Sequence, residues 1–269
     1  MFIVKVPGIN GLRRTNGCEN SGNEILKELK NIFTNEQGRI VDTSLLDLEE
    51  IHLDNSNLEL TNNLIYKNSL ETFGEKPKTI FLGGDHSISY SITKAFLDYC
   101  KKSEKEPCLI IFDAHPDCMP ADKKSPTHEE WLRALIDDGF PKENILLVGV
   151  RNANIKELNF LKENNIKMIS MNTLLEDLQE TCDTIMEFSD KKELYVSIDI
   201  DVIDPAFAPS TGYKEPGGFT SRQFIYLIQR INKIKNLRGI DIVEINAEED
   251  KKRDNQTIKL GAKILSELL

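Results

Sequence analysis

Basic side chains are in short supply: 34 Lys and Arg stand against 44 Asp and Glu, a formal charge of −10 over 269 residues. Binding along a nucleic-acid backbone or an anionic bilayer needs concentrated Lys and Arg, and no stretch supplies it, so neither a nucleic acid nor a membrane is expected as a partner. Long hydrophobic runs are missing as well. The longest, LIIF and ILLVGV, fall far short of the roughly 18 to 20 residues of a membrane helix. Cysteine is sparse and unpatterned: Cys18, Cys100, Cys108, Cys118 and Cys182 are odd in number, scattered, and form no CxxC pair. That excludes a disulfide framework and points to a reducing, cytoplasmic setting. The opening MFIVKVPGINGLRRT puts its apolar residues before its basic ones, the reverse of a secretory signal, and reads as a first strand. No Pro/Ser-rich linker, charge block, internal repeat or low-complexity segment divides the chain. One domain over 1–269 is expected, long enough to bury a sizeable core.

What is present is alternation. Short β-rich runs at 2–6, 39–43, 79–83, 108–113, 145–150, 167–170, 194–200 and 239–245 are separated by amphipathic stretches near 22–34, 60–73, 88–102, 128–138, 154–164, 172–189, 221–235 and 255–268. Several strands are apolar on both faces, as strands covered on both sides must be. Parallel neighbours need a crossover and a helix is the usual one, so the order predicts an α/β fold: a three-layer α/β/α sandwich around a mainly parallel sheet.

Open α/β sheets bind ligands at the carboxyl ends of their strands, and three such ends are loaded with polar residues. TIFLGGDHS ends in Gly83, Gly84, Asp85 and His86; it reads either as a ligand-bearing mouth or as a turn with Asp85 or Ser87 capping the next helix. In CLIIFDAHPDCM, Asp113, His115 and Asp117 recur at alternate positions, so an extended chain points all three to one side. In LYVSIDIDVIDP, Asp199 and Asp201 form another i, i+2 pair, while Asp204 before Pro205 reads as a turn former. Acids forced together repel one another and lose hydration, a cost that a divalent cation removes. Four carboxylates and two imidazoles exceed one zinc site with an open position. Hard oxygen donors suit Mn²⁺, and a bridged pair of ions suits the count, which predicts a two-metal hydrolase site.

With these residues in place, GGDHS (83–87), DAHPD (113–117), SIDIDVIDPAFAPSTG (197–212), EPGG (215–218) and DIVEIN (241–246) closely resemble, in order, the motifs of the ureohydrolases, the family of arginase, agmatinase and formiminoglutamase. The resemblance implies an eight-stranded parallel sheet and two Mn²⁺ per chain bridged by a hydroxide. That hydroxide attacks the carbon of a guanidino group, releasing urea and an amine. It also implies a homo-oligomer, trimer or hexamer. Carried over by motif, His86, Asp113, His115, Asp117, Asp199 and Asp201 are the ligands and Glu244 pairs with the substrate guanidinium, a bidentate match for its fork of donors. The family's proton-shuttling histidine corresponds to His128; here Glu129 follows it, and Thr127 with Glu130 offers a capping box as the competing reading.

Departures bear on the substrate. Arginase has an Asn where this chain has Met119, and an Asp where it has Asn152; GTPEPGG of agmatinases becomes GYKEPGG, introducing Tyr213 and Lys214, and the Pro after DIVEIN is Ala247. Asn152 and Tyr213 are expected to touch substrate. An agmatine-like guanidino compound without a carboxylate is the expected substrate. Arginine, a formiminoglutamate-type substrate received by Lys214, and an inactive metal-binding protein are the alternatives.

Overall fold

The computed structural model describes residues 1–11, 14–120 and 125–269. Eight strands form one sheet, all parallel: β1 Phe2–Val6, β2 Asp47–Glu50, β3 Thr79–Gly83, β4 Pro107–Phe112, β5 Ile145–Val148, β6 Lys167–Ile169, β7 Glu193–Asp199 and β8 Leu237–Val243, in the order β2-β1-β3-β8-β7-β4-β5-β6. The helices between and after them are α1 Ser21–Leu29, α2 Leu58–Glu75, α3 Ile88–Lys102, α4 Trp131–Asp137, α5 Ile155–Glu163, α6 Met171–Glu176, α7 Leu178–Phe188, α8 Ser221–Ile231, α9 Ala247–Asp250 and α10 Gln256–Leu268.

The period of two in the strands builds a core on each face of the sheet. Cys108, Ile110 and Phe112 of β4 pack with Ile25, Ile185, Phe224 and Ile264 from α1, α7, α8 and α10. Leu109 and Ile111, between them, pack with Ile65, Phe96, Trp131 and Leu161 from α2, α3, α4 and α5. This is the expected three-layer sandwich. No helix among the described residues is long and apolar enough to cross a membrane, and all five cysteines are free and buried.

Two elements differ from the sequence expectation. RIVDT (39–43) makes only an isolated antiparallel bridge, Thr34 with Ile40; the second strand is DLEE, exposed along its whole length. It lies at the sheet edge and pairs only with β1, so backbone bonds hold it without apolar side chains, and its acids discourage further strand addition. The stretch 172–189 is two helices, because the Asp177 carboxylate accepts the Gln179 and Glu180 N–H groups and starts α7 anew.

Candidate metal centre and pocket

The neighbours β3, β8, β7 and β4 bring the three loaded strand ends to one point. His86 Nδ1 lies 3.0 Å from Asp113 Oδ2, 2.9 Å from Asp117 Oδ2 and 3.3 Å from Asp199 Oδ2. His115 Nδ1 lies 2.8 Å from Asp201 Oδ2 and 3.6 Å from Asp113 Oδ1. Two groups able to hold a cation result, His86 with Asp113 and Asp199, and Asp113 with His115 and Asp201. Asp113 belongs to both.

Three of the four acids are held the same way. The His115 N–H donates to Asp113 Oδ1 at 2.6 Å, the Asp201 N–H to Asp199 Oδ1 at 2.8 Å, and the Ala114 N–H to Asp201 Oδ1 at 2.9 Å. In each the backbone fixes one oxygen and leaves Oδ2 facing the centre. Asp117 is fixed by Trp131, whose Nε1–H donates to Oδ2 at 2.8 Å; its backbone sits at φ 50, the left-handed region that non-glycine residues enter only rarely. Upstream, Gly84 cannot be replaced, because a Cβ there would lie 1.8 Å from the Gly8 carbonyl oxygen. That close approach lets Asp85 reach back to the Asn10 N–H at 2.6 Å and the Thr15 hydroxyl at 2.8 Å, anchoring the loop that carries His86. Asp85 also accepts the Ser87 N–H at 3.1 Å, the turn chemistry expected of GGDHS, although Ser87 itself, at the start of α3, makes no side-chain cap bond.

A proton count shows what these atoms suit. Ser197 Oγ donates to Asp241 Oδ1 at 2.6 Å and lies 2.9 Å from His86 Nε2. A hydroxyl has one proton, so with that proton given to Asp241 its oxygen can only accept from His86 Nε2–H. Neutral His86 therefore presents a bare Nδ1 lone pair to three carboxylates. His86 Nδ1 and Asp113 Oδ2 are buried with no hydrogen-bond partner. A lone pair among carboxylates is repulsive without a cation between them, so the donor set fits a divalent metal.

The electrostatics agree. Burial and neighbouring Asp113 push the Asp117 carboxyl up to about 7. Burial with Asp201 raises Asp199, and burial with Asp113 raises Asp201. Burial would raise Asp113 too, but the His115 and His86 rings beside it, when protonated, hold it well below the carboxylate range. Burial opposes charge on His86 and His115, yet their carboxylates outweigh it and raise both. Protons and cations compete for these atoms.

Beside the centre lies a cavity of about 430 Å³ that His115, Asp117, Asp199 and Asp201 help to line. Glu244 reaches it from the end of β8 at φ 65; its Oε1 accepts the His86 N–H at 2.9 Å and its buried Oε2 has no hydrogen-bond partner among the described residues. Burial and nearby Asp85 raise its pKa well above the usual range. His128 is buried in the cavity wall, not on the surface of a helix start. Helix α4 begins only at Trp131, and Thr127 forms half of a capping box, its N–H donating to Glu130 Oε2 at 3.3 Å. Neither His128 nitrogen has a hydrogen bond among the described residues, Nε2 lying 3.8 Å from Glu129 Oε1, and burial lowers its pKa. Asn152 and Tyr213 also line the cavity; Asn152 donates to Glu215 Oε1 at 2.6 Å and the Tyr213 hydroxyl to Glu129 Oε1 at 2.9 Å. Lys214 points elsewhere, paired with Glu249 at 2.6 Å. Asp204 is the expected turn former, accepting the Ala206 and Gly217 N–H groups.

Sequence reasoning passed over Trp131, Arg151 and Ser197. Arg151 donates to the Asp201 and Glu215 carbonyls, both at 2.6 Å, tying together two loops of the site. Ser197 was the legible one, a hydroxyl inside the apolar strand LYVSID. Register places it opposite Asp241.

The family model "Arginase family" matches residues 1–269. Arginase 1, mitochondrial, of Arabidopsis thaliana is 29% identical over 258 residues, 94% of this chain and 70% of that protein. Agmatinase of Bacillus subtilis is 30% identical over 234 residues, 86% of this chain and 76% of that protein. Among solved structures, formimidoylglutamase from Bacillus subtilis superposes with TM-score 0.88 at 24% identity, covering 99% of this chain and 84% of that one, and so shares the fold. The chain belongs to the arginase family, hydrolases acting on carbon–nitrogen bonds of amidines.

Proposed function

We propose that the protein hydrolyses a linear guanidino compound with an amine tail, agmatine-like, releasing urea and an amine, with a pair of Mn²⁺ ions as cofactor. His86, Asp113, His115, Asp117, Asp199 and Asp201 would hold the ions, with Asp113 shared. Bound there, the ions supply Lewis acidity and a water-derived nucleophile at neutral pH. Glu244 orients the guanidinium through its free Oε2, a charge-assisted contact whose partner is otherwise missing. In the hydrolysis a C–O bond forms, the C–N bond to the tail breaks, and the departing nitrogen gains a proton. His128, whose pKa burial lowers and whose nitrogens have no hydrogen bond among the described residues, would carry that proton from the attacking water to the leaving amine.

The single observation that carries the reading is a shared Asp113 beside a cavity into which Glu244 offers a free carboxylate oxygen. The tail follows from charge: Glu129 and Glu157 join the wall, and no Lys or Arg lines it among the described residues. With Lys214 engaged by Glu249, an acidic tail has no support from that side chain. By family membership the chain is also inferred to act as a homo-oligomer, testable by light scattering. Urea release from agmatine, arginine, guanidinobutyrate and formiminoglutamate tests the activity. Agmatine is expected to give urea fastest; absence of urea from every guanidino compound would overturn the reading.

A further inference from the structure

We propose that Glu129, held by Tyr213, is the specificity-determining anion that receives the distal ammonium of the substrate; this rests on the site being a guanidine hydrolase. Glu129 follows His128 directly, so the carboxylate starts one residue from the wall of the reaction centre. Its main chain is fixed, the carbonyl accepting the Met119 N–H at 3.0 Å. Its side chain is fixed by the Tyr213 hydroxyl on Oε1, leaving Oε2 without a hydrogen bond among the described residues. The side chain is 39% exposed at the cavity, so an incoming cation meets a preorganised carboxylate with a vacant acceptor.

Of the other lining glutamates, one has both oxygens taken and the other serves the guanidinium end. Glu157 accepts the Cys118 N–H on Oε1 at 2.9 Å and the Asn154 N–H on Oε2 at 2.8 Å. Glu244 lies at the strand mouth, its Oε1 taken by the His86 N–H. Tyr213 connects the centre to Glu129: its ring lies 5.8 Å from the His115 ring and 5.5 Å from the His128 ring, while its hydroxyl reaches Glu129. A tail of a few methylenes lying along that ring carries its terminal ammonium from the reacting carbon to Oε2. The guanidinium of Arg14, 4.8 Å from the ring centroid, is, among the described residues, the feature that favours the opposite tail, a carboxylate.

The test compares kcat/KM of the Mn²⁺-reconstituted full chain on agmatine and on butylguanidine, which differ only in the terminal ammonium, with guanidinobutyrate as the acidic counterpart. The native protein is expected to favour agmatine over butylguanidine by about tenfold, through KM, as for one charge-assisted contact. In Glu129→Gln, which keeps an acceptor for Tyr213, the ratio is expected to fall to within about twofold. An equal ratio in both proteins, or preference for guanidinobutyrate, overturns the assignment while leaving guanidine hydrolysis intact. Should none of the three be hydrolysed, the functional reading fails on its own, and calorimetric titration with 1,4-diaminobutane decides Glu129: binding weakened about tenfold in Glu129→Gln supports the subsite, and equal or undetectable binding in both proteins overturns it.

Discussion

Replacing Ser197 by Ala removes one oxygen and disturbs the metal centre through His86 alone. In the native protein the hydroxyl accepts from His86 Nε2–H and donates to Asp241 Oδ1, which fixes the imidazole tautomer. Asp241, buried, also accepts from Ser89 at 2.8 Å, Tyr195 at 2.9 Å and the Ile198 N–H at 3.3 Å, so it keeps three donors when Ser197 is lost. The Nε2–H of His86 keeps none. An unsatisfied buried donor costs about 1 to 3 kcal/mol, and His86 escapes it by moving its proton to Nδ1, the atom that should face the ion. Mn²⁺ affinity is therefore expected to fall about 10- to 100-fold, read by competition with a fluorescent chelator, with nitrogen NMR of His86 reporting the tautomer. Ser89→Ala is the control, because it takes one bond from Asp241 and leaves His86 untouched; its metal affinity should change less than about threefold. Equal affinity in native protein and Ser197→Ala, or equal losses in the two variants, would refute the proton count.

Glu244→Gln should retain the metals and raise KM for the guanidino substrate about tenfold, since it removes the charge from the free Oε2; an unchanged KM would remove the guanidinium role. His128→Ala should keep its metal content and lose about 10² to 10⁴ in kcat, and full turnover would make His128 a wall residue. Lys78, which donates to Asn232 and the Leu268 carbonyl, has its pKa lowered by burial to about 8. The folded state thus disfavours the ammonium; the penalty is fully present below pH 8 and is relieved as pH rises towards the unfolded value. Denaturant unfolding should show Lys78→Met gaining stability over the native protein below pH 8, up to about 3 kcal/mol, with the gain shrinking by pH 10.5. A pH-independent difference would contradict this.

The sheet was legible because its central strands are apolar on both faces, a pattern that only a covered parallel strand needs. β2 was illegible for the opposite reason: an edge strand held by backbone bonds carries no hydrophobic signature, and DLEE reads as surface. Among the site residues, the paired Asp and His positions advertised themselves because acids at the end of an apolar strand demand a partner. Trp131 and Arg151 did not, because an indole in the first turn of a helix and an arginine after a strand are ordinary until the fold brings Asp117 and the Asp201 loop against them. Glu129 was equally mute. It reads as one acid of a helix start, and only the folded position of Tyr213, 84 residues away, gives its carboxylate a direction.

One carboxylate, Asp113, belongs to both groups able to hold a cation, and would be shared by the two ions. Manganese content per chain, measured by mass spectrometry after equilibrium dialysis of native protein and Asp113→Asn against buffered Mn²⁺, tests it most directly. Two ions per native chain, falling below one in the variant, is the predicted result. One ion in the native chain, or two retained without the Asp113 carboxylate, would contradict it.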